Sequence, residues 1–227
     1  MECLSVLPEY QEPIQNRYPA HHVGDMIEDF AIKYFRECKD LEGIVYIPIN
    51  WTGWYCNHEY KNGNTAIRDY VRTLKLEKGK KYFTVVQNDD GTMCDDILKS
   101  MCDCTIFGAG GVGDIPIPLL CSSHNAKQKE NPKYLASFIG TKQTHPIRAK
   151  MINALQDKED VFVGQGNTKL FVDIMTDSKF ALCPRGYGET SFRMYEAIDC
   201  GVVPVFISDD DKSTQKETKF YFVGKKS

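Results

Sequence analysis

No apolar run in this 227-residue chain is long enough to cross a bilayer. The opening stretch, MECLSVLPEYQEP, has no basic start, no long apolar core and no small-residue cleavage site, so it does not read as a signal peptide. Both absences point to a protein without a membrane span, expected in the cytoplasm. An excess of basic charge is also lacking: 28 Lys and Arg stand against 31 Asp and Glu, for a formal net charge of -3. No block of like charge exceeds a few residues, which argues against a nucleic-acid partner. The basic end, Lys225-Lys226-Ser227, reads as a solvated tail. The nine cysteines include no paired CxxC motifs, so a structural zinc site is not expected. They read as reduced, mostly buried thiols. The sequon Asn50-Trp51-Thr52 would matter only in a secreted chain. No internal repeat and no low-complexity segment is present.

What is there is an ordinary globular composition, 42% hydrophobic and 26% charged, enough for one large domain or two small ones. Strand-like apolar runs alternate with helix-like segments. Residues 25–38 carry apolar side chains at helical spacing, and IVYIPIN after Gly43 reads as a strand. A second helix is expected over 64–76, capped by Asn64 or Thr65. The stretch YFTVVQ, 82–87, is a β-branched and aromatic strand that ends in the turn signal Asn88-Asp89-Asp90-Gly91. A short helix over 95–101 and a strand over 104–107 come next. The polar stretch SSHNAKQKENP, 122–132, has no periodicity and reads as a linker between two lobes, 1–128 and 129–227. Beyond it come strands at 135–139, 161–163, 180–183 and 202–207. Helices are expected at 146–156 and 190–200, with a helical turn at 171–176. This alternation predicts an α/β fold with parallel sheets flanked by helices.

Gly108-Ala109-Gly110-Gly111-Val112-Gly113 matches the GxGxxG dinucleotide fingerprint in form only. The fingerprint requires a helix at that point, and Pro116 and Pro118 forbid one. A turn before an extended segment is expected instead.

The chemistry concentrates in Phe180–Asp210, FALCPRGYGETSFRMYEAIDCGVVPVFISDD, read as strand, glycine-bearing loop, helix and strand. Gly186 and Gly188 allow the backbone to approach a ligand. Thr190 or Ser191 can cap a helix whose first amides face a phosphate. Arg185 and Arg193 offer cationic forks suited to a diphosphate. Glu196 can accept hydrogen bonds from vicinal ribose hydroxyls. Each has a plainer reading: an Arg193–Glu196 surface pair, a loop-bracing Arg185, a helix-ending Gly201. Taken together in one unit, the functional reading is favoured.

CPRGYGETSFRMYEAIDCGVVPVFISDD resembles the signature of exostosin-like glycosyltransferases, glycosyltransferase family 47. GIVYIPINW, GKKYFTVVQNDDG, GDIPIPLL and FIGTKQTHPIRAKMINAL resemble further segments of that family. The resemblance implies a GT-B architecture of two Rossmann-like lobes and inverting transfer from a UDP-sugar to a glycan acceptor, with no cofactor and no metal. It carries donor-binding roles to Arg148, Arg185, Gly186, Ser191, Arg193 and Glu196. The short stretch after the Val-Pro-Val strand and the missing membrane anchor resemble the small family members of large DNA viruses of algae, which implies a viral or cytosolic origin.

An inverting transfer needs a base near the acceptor hydroxyl. Asp90 is the first candidate and Asp89 the second, each also readable as a turn acid before Gly91. Asp114, His21, His22, His58 and Glu189 stand behind them. Trp54 and Tyr55, with Trp51, can stack on an acceptor sugar or serve as core residues. Asp209-Asp210-Asp211 is read as a solvated run, not a metal site. A different donor, such as GDP-fucose, and a non-catalytic nucleotide-sugar-binding or glycan-binding protein are the alternatives.

Overall fold

The computed structural model describes residues 2–15, 24–38, 43–58 and 63–207. His21, His22 and Asp209-Asp210-Asp211 lie outside them. Two wholly parallel sheets account for the described strands, and the chain completes the first before starting the second. The fold is α/β and GT-B-like, with two Rossmann-type lobes.

The first sheet holds β1 (Glu2–Cys3), β2 (Ile44–Tyr46), β3 (Lys81–Val86), β4 (Asp103–Gly108) and β5 (Ile115–Pro116) in sequence order. Successive side chains of its central strands enter opposite cores, as a sheet covered on both faces requires. Tyr46, Phe83 and Val85 pack with Ala31 and Ile32 of α1 (Ile27–Glu37). Val45, Tyr82, Val86 and Ile106 pack on the other side, against α2 (Trp51–Asn57), α3 (Gly63–Thr73) and α4 (Asp95–Met101).

The expected strand 44–50 is thus cut short, and α2 is an element that the sequence does not announce. Ile47 and Ile49 are fully buried as the chain leaves the sheet, and Asn50 caps α2 by accepting from Gly53 N. Short apolar runs do not distinguish a strand from a buried helix by periodicity alone.

The second sheet holds β6 (Tyr134–Ile139), β7 (Val161–Gly164), β8 (Ser178–Pro184) and β9 (Val203–Ile207) in the order β7-β6-β8-β9. The helices α5 (Pro146–Leu155), α6 (Thr168–Thr176) and α7 (Phe192–Asp199) make the crossovers. Because the chain moves outward from β6 to β7 and then returns to β8, the order reverses between β6 and β8. Ligands of open parallel sheets bind at such a reversal, beyond the carboxyl ends of the strands. Gly201, at φ +75°, ends α7, in line with its plainer reading.

Residues 117–133 join the lobes without regular structure, but they are fastened to both. Leu120 N donates to Gln87 Oε1 (3.3 Å), Gln128 N to Cys200 O (2.8 Å) and Lys129 N to Thr176 O (2.9 Å). The expected boundary at 128 falls inside this strap. None of the nine cysteines is in a disulfide. No helix among the described residues is long and apolar enough to cross a membrane.

Candidate functional site

A cavity of about 640 Å³ opens at the carboxyl ends of β6, β7 and β8, where the topology reverses. Ile139, Gly140, Thr141 and Thr144 line it at the end of β6, Gln165 to Thr168 after β7, and Gly186 and Tyr187 after β8. The helices after these three strands all begin beside it. Their backbone amides and dipoles favour negative charge. Ser191, at the start of α7, makes no side-chain capping bond and lines the cavity together with Thr190.

Two guanidinium groups reach into this space. Arg148, on α5, donates from Nε to Arg185 O (2.9 Å) and from Nη1 to Thr144 Oγ1 (2.7 Å) and Thr141 O (3.2 Å). Arg193, on α7, donates to Ile139 O and lies over the Phe138 ring, 4.4 Å from its centroid, with Phe171 5.2 Å away. Its Nε is buried with no hydrogen-bond partner among the described residues. Neither arginine forms an ion pair there. Burial, then repulsion from Arg193, pulls the Arg148 pKa down to about 10. Burial lowers that of Arg193 as well. Two half-buried cations with no ion pair among the described residues are suited to an anion.

Glu196 does not pair with Arg193. Its Oε1 meets His124 Nε2 at 3.0 Å, and the two side chains are only 14% and 9% exposed. The hydrogen bond that His124 donates to Glu196 is the main cause of a raised His124 pKa, partly opposed by burial. His124 sits in the strap that the sequence presents as a featureless linker. No spacing signal marks it, because its partner lies 72 residues away.

The two aspartates after β3 separate. Asp89 lines the cavity, and its carboxyl is pushed up to about 6 by burial and by the Asp90 charge, against an opposing hydrogen bond from Gly188 N and the field of Arg185. Asp90 is exposed and outside the lining. Its N–H closes a turn on Asn88 Oδ1 (2.9 Å), as Gly91 N does on Asn88 O (3.0 Å). Of the two expected candidates, Asp89 is therefore the one at the cavity. Regular alternation stops at Val86, and the turn over 88–91 re-aims its own side chains.

Trp54 and Tyr55 are not at the cavity, which corrects their expected acceptor role. Trp54 stacks between Tyr10 (4.4 Å) and His58 (3.8 Å), and fully buried Tyr55 donates to Thr92 O (2.6 Å). Trp51 is buried too, donating to Thr84 Oγ1 (2.8 Å). These aromatics hold α2 onto the first lobe. Asp114 is structural, paired with Lys99 (2.5 Å) and accepting from Ile106 N (2.9 Å). Glu189 is exposed and packs its Cβ toward Gly111. The Arg185 side chain is outside the lining, although its carbonyl anchors Arg148. Tyr187, 70% exposed at the lip of the cavity, carries no sequence signal that sets it apart from its neighbours.

The glycine run supports no dinucleotide site. It leads into β5, not into a helix, and it packs against the turn after β3: a Cβ on Gly110 would fall on the Asn88 carbonyl. Thr190 Oγ1 donates to Ala109 O across the cleft (3.4 Å). Among the described residues no group of three or more His, Cys, Asp or Glu is arranged to hold a metal ion. Compared with known families, residues 108–217 match the family model described as the Exostosin GT47 domain. That span covers the glycine turn, the strap and every cavity-lining residue except Asp89.

Proposed function

We propose that this chain, whose residues 108–217 match the Exostosin GT47 domain model, is a glycosyltransferase that transfers a sugar from a UDP-sugar to a hydroxyl of a glycan acceptor, with inversion and without a bound metal. The observation that carries this reading is the pair of half-buried guanidinium groups of Arg148 and Arg193, which meet in one cavity at the sheet reversal and form no ion pair among the described residues. A diphosphate would supply the missing counter-charge, and its charge grows as the sugar departs. The cavity volume suits a ligand of nucleotide-sugar size. In this reading Arg148, Arg193 and the α7 amides hold the diphosphate, and Glu196 receives the ribose hydroxyls. Asp89 takes the proton of the acceptor hydroxyl as that oxygen attacks the anomeric carbon from the face opposite the diphosphate. The acceptor approaches over the exposed ring of Tyr187.

Calorimetry with UDP and uridine in the presence of EDTA tests the proposal. UDP should bind the native protein without metal. Arg148→Ala should weaken UDP by about 1.5–3 kcal/mol, the range for a hydrogen bond to a charged group, and leave uridine unchanged. Equal losses for UDP and uridine, a requirement for metal, or preferred binding of GDP would each overturn the donor assignment.

A further inference from the structure

The strap that joins the lobes also reaches the nucleotide end of the cavity. Ser123 Oγ donates to Asp199 Oδ2 (3.0 Å), Lys127 Nζ to Asp199 O (2.7 Å) and Gln128 N to Cys200 O (2.8 Å). All three bonds fasten the strap to the C-terminal end of α7. Between them, His124 points back along that helix to Glu196, one turn earlier. Its ring meets Phe171 edge to face, with centroids 5.7 Å apart and planes at 75°. Phe171 in turn carries the Arg193 guanidinium. The imidazole is therefore held on three sides: by its own tethered backbone, by an aromatic ring and by the carboxylate.

We propose that His124 is a positioning residue for the donor: it fixes the Glu196 carboxylate, and so sets how well the protein distinguishes a ribose with both hydroxyls from one lacking them. The inference rests on the reading of Glu196 as the ribose acceptor. A glutamate side chain on a helix has several rotamers, and ordering it costs conformational entropy whenever it must bind. A hydrogen bond from His124 Nε2 to Oε1 settles that rotamer before the ligand arrives. Glu196 makes no second hydrogen bond among the described residues, so its other oxygen is left for a ligand. Both side chains line the cavity, so the pair is at the site and not behind it.

The test compares UDP with 2′-deoxy-UDP by calorimetry in the native protein, His124→Ala, His124→Gln, Glu196→Ala and the double alanine variant. His124→Ala should raise the UDP Kd roughly tenfold, the order of one hydrogen bond to a charged group, while 2′-deoxy-UDP changes little. Discrimination between the two ligands should therefore shrink. His124→Gln, whose amide also donates, should restore most of it. In the Glu196→Ala background the histidine change should add nothing. A His124→Ala protein that weakens both ligands equally, or that loses affinity further in the Glu196→Ala background, would show a merely structural histidine and overturn the inference. Unchanged UDP affinity in Glu196→Ala would sink the ribose assignment itself. Loss in Glu196→Ala with none in His124→Ala would sink only the role of His124.

Discussion

Burial pushes the Asp89 carboxyl up to about 6, with the Asp90 charge adding to the shift, whereas Asp90 stands in solvent as a turn residue. A general base works best with a pKa near the operating pH, so the shift suits Asp89 to proton transfer. In the proposed role its deprotonated form is the active one, and turnover should rise with pH through about 6. Asp89→Asn should cut turnover by roughly 10²–10⁴-fold and abolish that limb of the profile, with UDP affinity nearly unchanged. Asp90→Asn should behave like the parent, and a comparable loss there would restore Asp90 as the base. The same shift has a stability consequence of definite sign. A carboxyl whose folded pKa lies above its unfolded value of about 3.9 favours the folded state at low pH, and that favour is lost as pH rises through about 6. At neutral pH the charged Asp89 is a liability. Asp89→Asn should therefore raise the melting temperature at pH 7–8, corresponding to about 1–3 kcal/mol, and have less effect at pH 4. A variant both less active and less stable at neutral pH would mark a structural turn acid.

At the scale of elements, two glycines of the second lobe have opposite roles. A Cβ on Gly188 would fall inside the Asp89 carboxylate, whereas one on Gly201 meets nothing but holds φ at +75°. Gly188→Ala should push the loop after β8 away from Asp89 and lower turnover at least tenfold. Gly201→Ala should cost about 1–2 kcal/mol of stability, the strain of a left-handed alanine, and leave UDP affinity alone. Donor-hydrolysis rates and denaturant titration would read both, and a Gly188→Ala protein of full activity would remove the loop contact from the site. The helices and strands of the second lobe are legible in the sequence because turn chemistry and apolar periodicity agree there. The loop after β8 is legible from its glycines and arginines. The features that stay hidden depend on distance or on orientation. His124 acts on a helix 72 residues away. Asp89 lines the cavity and Asp90 does not, because a four-residue turn breaks strand alternation. Trp54 and Tyr55 belong to a helix that a short apolar run does not announce.

Across the whole molecule, the cleft is closed by contacts between loops that belong to different lobes. Gly188 N donates to Asp89, Thr190 Oγ1 donates to Ala109 O, and Gly111 faces the Glu189 side chain. The loop after β8, which borders the cavity, therefore rests on two turns of the first lobe, after β3 and after β4. The strap adds a second link, bonded to Gln87 at one end and to the end of α7 at the other. A ligand that orders the loop after β8 must order its neighbours across the cleft, because local opening of either side breaks the same contacts. UDP should then slow hydrogen exchange at residues 87–91 and 108–113 as well as at 184–193, although no proposed donor contact lies in the first lobe. At a hundredfold excess over Kd the stabilisation available is about 2.7 kcal/mol, enough to slow exchange by up to roughly a hundredfold where opening exposes the bound state. Gly188→Ala should confine the protection to the second lobe by breaking the loop contact. Protection limited to 184–193 in the native protein would mean that the lobes respond separately. The placement of Asp89 over the loop after β8 would then not be maintained when the nucleotide binds, and the base would have to come from the second lobe itself.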